Sequence, residues 1–243
     1  MESLPQRLIR KLRERRFAQA ARAVRRTPPV VAADDGVVIF SMIGTRVVDP
    51  YLIAAKSLHA RLRRGRFVIL DDGTLTAADK ALLAEHLDRP DIRRIAAVDS
   101  GDCPRGGCWE RLLTLLELRR DAYVIQLDSD TVTLGPVDEV SAAIAEGRNF
   151  TLKGDASVAL QPVSAYAADL TAIPESAHVQ GRIEAVLDRI DAGLPHPARY
   201  VRGCAGFAGF ARAASGAMWP MPSAAKPRRC SGRPSGRSGA ASR

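Results

Sequence analysis

Aromatic residues make up only 5% of this 243-residue chain, and it has four cysteines. So few cysteines at this length make no disulfide framework, and a reducing, cytoplasmic setting is expected. No run approaches the roughly 18 unbroken apolar residues of a membrane-crossing helix. The basic start, Met1–Arg26, lacks the apolar core of a secretory signal peptide. There is no Gly-Lys-Ser/Thr, which argues against a phosphate-cradling P-loop. Cys103 and Cys108 flank Pro104-Arg105-Gly106-Gly107 with no second ligand pair, so zinc is not expected, and Gly101–Gly107 reads as a flexible loop. Met221–Arg243 contains no Val, Ile, Leu, Phe, Tyr or Trp and no acid. Such a segment cannot bury enough apolar surface to offset chain ordering. It reads as a disordered basic tail, or as the product of a reading-frame shift in a region that once continued the fold.

What is present suits one domain with tails: 46% hydrophobic and 26% charged residues, enough for a sizeable core. The net charge of +9 is unevenly placed. Met1–Arg26 carries nine Lys/Arg against Glu2 and Glu14, and Met221–Arg243 carries six Lys/Arg; removing +7 and +6 leaves the body at −4. A nucleic-acid-binding domain concentrates positive charge on a folded face, so no nucleic-acid partner is expected.

The pattern divides the chain into a basic amphipathic helix and linker (1–29), an α/β domain (30–220) and the basic tail (221–243). Leu4, Leu8, Ile9, Leu12, Phe17, Ala21 and Val24 recur roughly at helical spacing, up to the Thr27-Pro28-Pro29 break. That helix either packs one stripe on the body or docks on an anionic membrane surface or a partner. Strands are expected at Val37–Ile43, Phe67–Leu70, Ile92–Val98 and Tyr123–Leu127, with further strands at Phe150–Lys153 and Ala205–Phe210. Helices are expected after Asp49-Pro50 to about Leu62, after a Thr76/Asp79 capping box to about Leu87, over Trp109–Leu116, near Val137–Glu146 and around Ile183–Asp191. Alternating strands and helices indicate a Rossmann-like, mostly parallel sheet flanked by helices, with ligands beyond the carboxyl ends of the strands.

Two phrases put acids at that edge: Leu70-Asp71-Asp72-Gly73 and Leu127-Asp128-Ser129-Asp130. Neighbouring carboxylates repel one another and are costly to desolvate. A hard cation such as Mg²⁺ or Mn²⁺, shared with diphosphate oxygens, relieves both costs. Asp128 and Asp130 are therefore the candidate metal residues.

Arg111-Leu112-Leu113, Asp121–Val132 and Gly135–Val140 together resemble nucleotide-sugar glycosyltransferases of the glycosyltransferase-A fold. The resemblance runs from about Val37 to Val140. It implies that Asp128 and Asp130 form the Asp-x-Asp motif and hold a divalent cation on the diphosphate of a donor, a UDP-sugar being favoured. It also implies nucleotide-sugar contacts at Ser41, Ile43, Asp71 or Asp72, Arg111 and Ser129. Cys204-Ala205-Gly206-Phe207 stands where related sequences often have Asn-Ala-Gly or Asn-Ser-Gly, so Cys204 replaces a sugar contact. Relatives continue past this point with acceptor-binding elements and often a histidine as a third metal ligand.

The implied reaction is attack of an acceptor hydroxyl on the anomeric carbon. No general base is assigned; Asp155 and Glu184 are candidates only as acids of the second half. Two alternatives stay open. One is a non-catalytic nucleotide-sugar-binding remnant. The other is a haloacid-dehalogenase-like phosphatase with Asp128 as nucleophile and Asp130 as acid/base, although three strands would then precede a motif that normally opens that fold. His59 and His86 fall in helices and read as packing or surface residues, and His178 and His196 as solvated ones.

Overall fold

A computed structural model describes residues 4–101, 103–106, 108–153, 158–168, 179–189 and 197–213. Within them β1 (Val37–Ile43) pairs in parallel with β2 (Arg66–Asp71) on one side and with β4 (Tyr123–Leu127) on the other. Next to β2 lies β3 (Asp91–Arg94), also parallel. Beyond β4, the antiparallel β8 (Gly203–Phe210) separates it from β5 (Phe150–Lys153). The sheet order is β3-β2-β1-β4-β8-β5.

Alternation along the strands explains how both faces are covered. Val37, Ile39, Ile43, Phe67, Ile69, Tyr123, Ile125 and Leu127 point to one side, onto α2 (Val48–Leu62) and α3 (Ala77–His86). Val38, Phe40, Val68, Leu70 and Val124 point to the other, onto α4 (Trp109–Leu118) through Leu115 and Leu118. Strands buried on both faces read as unbroken apolar runs, as these do. Helix α2 buries Tyr51, Leu52, Ala55, Leu58 and Leu62, one stripe at helical spacing. Each fully buried aliphatic side chain contributes about 1.5–3 kcal/mol. The Thr76–Asp79 capping box opens α3 as expected.

Several expectations are corrected. The third strand is short, because Ile95–Ala97 turn into a 3-10 segment where a strand to Val98 was expected. Asp49 does not cap α2, which begins at Val48; its carboxylate is taken by Arg25 instead. Helix α1 (Leu4–Ala21) is present and runs into a 3-10 turn over Arg22–Arg26; of its stripe only Ala21 and Val24 pack on the body, and Leu8, Ile9, Leu12 and Phe17 are exposed. After α5 (Asp138–Ala145) come a two-stranded ladder, β6 (Gln161–Pro162) with β7 (Arg199–Tyr200), and the short helices α6 (Val163–Ala168) and α7 (Val179–Glu184). Where a helix over Ile183–Asp191 was expected, α7 stops at Glu184 and Leu187–Arg189 is a 3-10 turn. Among the described residues, no helix is long and apolar enough to cross a membrane.

The sheet order reverses at β1. The chain moves outward through β2 and β3, then returns to the other flank of β1 as β4. At such a point the two crossovers leave on opposite faces, and a crevice opens at the carboxyl ends of β1 and β4.

Candidate functional site

Asp128 follows the last residue of β4, so it stands at that crevice. Its backbone is fixed from two sides. The Asp128 N–H donates to the Gly206 carbonyl (2.8 Å), and the Thr131 hydroxyl donates to the Asp128 carbonyl (2.9 Å). Arg111 comes from the first turn of α4, which runs into β4 and so starts at the same edge. Its Nη1 lies 3.1 Å from Asp128 Oδ1, and its Nη2 donates to the Ala205 carbonyl (2.9 Å). Gln126 also donates to that carbonyl. Helix α4, β4 and β8 thus converge on one carboxylate.

The Asp128 side chain is 33% exposed and its carboxyl titrates above the usual range. Burial is the main cause; Arg111 opposes it and the charge of Asp130 adds to it. Asp130 itself is exposed and Ser129 half-buried. A carboxylate strained by burial and a like charge, open on one side, is a group that a cation would relieve. The donor set fits Mg²⁺ or Mn²⁺, which bind through one or two carboxylates while keeping waters and phosphate oxygens. Among the described residues, no cluster of three His, Cys, Asp or Glu gathers to form an all-protein cage. Asp128 and Asp130 would therefore hold a cation jointly with a ligand.

The other expected nucleotide contacts divide into supports and open groups. Ser41 is buried, and its hydroxyl donates to the Leu127 carbonyl (2.7 Å), tying β1 to the residue before Asp128. Ile43 is buried, with its carbonyl accepting the Asp72 N–H (3.0 Å). Asp71 is buried too. Its Oδ1 accepts the N–H groups of Gly73 (2.8 Å) and Leu75 (3.2 Å), and its Oδ2 pairs with Lys80 Nζ at 2.7 Å. These three build the floor of the crevice and have no side-chain surface to offer a ligand. Asp72 is exposed at the mouth, its Oδ1 held by the Thr74 N–H (2.9 Å) and hydroxyl (2.6 Å). Gly44 faces it so closely that a Cβ there would collide with the Asp72 carboxylate and the Thr74 hydroxyl.

Gly206 sits between Cys204 and Asp128. A Cβ on it would lie 3.4 Å from Cys204 Sγ and 3.5 Å from Asp128 Oδ2. The Gly206 N–H donates to that sulfur (3.3 Å), and Cys204 is exposed. The role of Gly206 and of the Ala205 carbonyl was missed from sequence, because β8 is far along the chain and its antiparallel return has no local signal. Glu184 is not an open base. It is buried, accepting hydrogen bonds from Tyr200 (2.7 Å) and Gln180 (2.9 Å), with Arg202 Nε at 3.6 Å. Asp155, His178 and His196 lie outside the described residues. His86 is buried against Lys56, and His59 is half-buried beside the Phe67 ring, which makes both packing residues. Within the stretch expected to be a flexible loop, the Gly106 N–H donates to Glu110 (2.8 Å).

No family model matches the chain, and no curated protein is similar to it. Among solved structures, similarity is found to the mannosyltransferase Ktr4p from S. cerevisiae, at 11% identity and a TM-score of 0.36, covering 57% of this chain and 49% of that one. The bifunctional enzyme WbbM is similar at 15% identity and a TM-score of 0.44, covering 76% of this chain and 33% of its own. Core-mannan synthase A from Aspergillus fumigatus, in an Mn/GDP form, is similar at 8% identity and a TM-score of 0.41, over 75% of this chain and 62% of that one. All three are glycosyltransferases. This chain spans less than two thirds of each of them. The phosphatase alternative is not favoured. Asp128 ends a strand that three others precede in the chain, whereas the phosphatase motif normally opens its fold.

Proposed function

We propose that the protein is a glycosyltransferase that takes a sugar from a nucleoside-diphosphate donor, with UDP-sugars favoured, and passes it to an acceptor hydroxyl. The observation that carries this reading is the Asp128–Asp130 pair at the carboxyl end of β4, backed by Arg111 beside the β1–β4 switch point. Asp128 and Asp130 would hold Mn²⁺ or Mg²⁺. When bound, the cation supplies Lewis-acid stabilisation of charge on a departing diphosphate. Arg111 holds Asp128 in place and keeps positive charge near the diphosphate position. Asp72, oriented by Thr74, accepts from a ribose hydroxyl or a base N–H, and Ser129 lies between the two metal residues to hydrogen-bond the donor. Cys204, on the far side of Gly206, borders the sugar.

Calorimetric titration with UDP and with GDP, each with and without Mn²⁺, tests this. Manganese-dependent binding of one nucleotide is expected, and it names the donor class. Asp128→Asn with Asp130→Asn should weaken that binding at least about a hundredfold, the loss of two charge-assisted contacts, while the protein stays folded. Unchanged binding by the double variant would sink the assignment.

A further inference from the structure

Helix α1 is fixed at its root and bare along its length. Ala21 and Val24 are buried, and Arg25 grips both oxygens of Asp49 (Nε–Oδ1 2.6 Å, Nη2–Oδ2 3.0 Å). Lys56 Nζ donates to the Thr27 carbonyl just beyond (3.3 Å). Toward the amino end, by contrast, Leu8 is 63% exposed, Ile9 50%, Leu12 48% and Phe17 57%. At about 100° per residue, Leu8, Leu12 and Ile9 fall within one sector of about 100°, and Arg7, Arg10, Lys11 and Arg13 fall outside it. Arg15 borders that sector and Arg16 falls inside it further along, where long stems can lie along an apolar surface and lift their charges out of it. Leu4–Arg26 carries nine Lys/Arg and one acid, Glu14.

The occupant of this face must satisfy apolar contact and strong positive charge at once. A second copy would bring an equally basic helix and repel it. Met221–Arg243 is also basic and has no Val, Ile, Leu, Phe, Tyr or Trp to cover the stripe. An anionic bilayer meets both requirements: phosphate headgroups for the arginines, and the acyl boundary for Leu8, Ile9 and Leu12. We propose that α1 docks the protein on an anionic phospholipid membrane. The helix lies in the plane of the interface, and the Arg25–Asp49 clamp holds the α/β body at the surface. This inference is independent of the glycosyltransferase reading.

The test is co-sedimentation of the full chain with vesicles of phosphatidylcholine alone and of phosphatidylcholine mixed with phosphatidylglycerol, at low and high salt. Binding to the anionic vesicles should exceed binding to the neutral ones by about tenfold or more and fall with salt. Leu8→Ser, Ile9→Ser and Leu12→Ser together, all at exposed positions, should reduce it about tenfold with an unchanged melting temperature. Arg7→Gln, Lys11→Gln and Arg13→Gln should do the same. Equal recovery of folded wild type with neutral and anionic vesicles would overturn the proposal. So would a serine variant that binds as well as wild type, or self-association of the wild type that the serine variant abolishes while lipid binding is absent.

Discussion

Two acids at the carboxyl ends of β2 and β4, the strands on either side of β1, illustrate how one residue type comes to opposite ends. Burial pushes the Asp71 carboxyl upward, but Lys80 and the N–H groups of Leu75 and Gly73 more than reverse this, so it titrates below its ordinary value. A depressed carboxylate contributes stability above its unfolded pKa, and that contribution is lost as pH falls. Asp71→Asn should therefore cost about 2 kcal/mol at neutral pH, in urea unfolding, as charged hydrogen bonds are lost. The gap from wild type should narrow as pH falls below the ordinary aspartate range, where the wild-type carboxyl itself becomes protonated. A gap that stays constant with pH would show that packing, and not charge, holds Asp71. Asp128 is the reverse case. Its raised pKa means that its charge opposes folding above the ordinary carboxylate range, as in a site prepared for a ligand. Asp128→Asn should unfold at the same or a slightly higher urea concentration at neutral pH, the gain being small because the group is partly solvated. The two phrases look alike in sequence, acids directly after an apolar run. What separates them is Lys80 on α3 for one and Arg111 on α4 for the other, and a partner on another element leaves no mark in the local spacing.

At the scale of elements, β8 decides whether the crevice has a second wall. It lies between β4 and β5, and its glycines let large side chains approach the backbone. A Cβ at Gly209 would collide with the Phe150 ring and come within 2.6 Å of the Tyr123 hydroxyl, which donates to the Arg148 carbonyl (2.7 Å). Gly209→Ala should destabilise by about 1–3 kcal/mol, the cost of overpacking a filled space. Gly206→Ala meets only ordinary contacts, at 3.4 and 3.5 Å, and should change stability by less than about 1 kcal/mol. Denaturant midpoints of the pair decide it, and equal losses would mean that β8 is held differently. The bounds of β1 and β4 were legible because each is a short, mainly apolar run with turn residues at both ends, and those of β5 through the alternation Phe150-Thr151-Leu152-Lys153. Neither the direction of β8 nor the two-residue ladder of β6 and β7 was legible. Both depend on long-range pairing, and Gly203–Phe210 has no strict alternation of its own. The two metal-candidate acids could be read from sequence through their position after β4. The hold of Gly206 on Asp128, and of the Ala205 carbonyl on Arg111, became visible only once β8 was placed.

For the whole molecule, the charge map and the core map are complementary. The two core clusters are drawn from residues between Val24 and Ala211, and the body from 27 to 220 is mildly acidic. The net positive charge is carried by Met1–Arg26, at +7, and Met221–Arg243, at +6. Stability follows buried apolar area, and a segment without Val, Ile, Leu, Phe, Tyr or Trp has very little to bury. Removing Met221–Arg243 should therefore leave the melting temperature within about 2 °C, since a loss of 1 kcal/mol moves it by about 2–4 °C at this size. The same deletion takes six positive charges and no negative ones from a chain of net +9, so elution from a cation exchanger should shift to clearly lower salt. The two readouts separate the roles of the segment. An unchanged melting temperature with earlier elution makes it an electrostatic appendage of a fold that is complete without it. A fall of more than about 5 °C would mean that its backbone pairs with the body, because its side chains supply too little apolar area for such an effect.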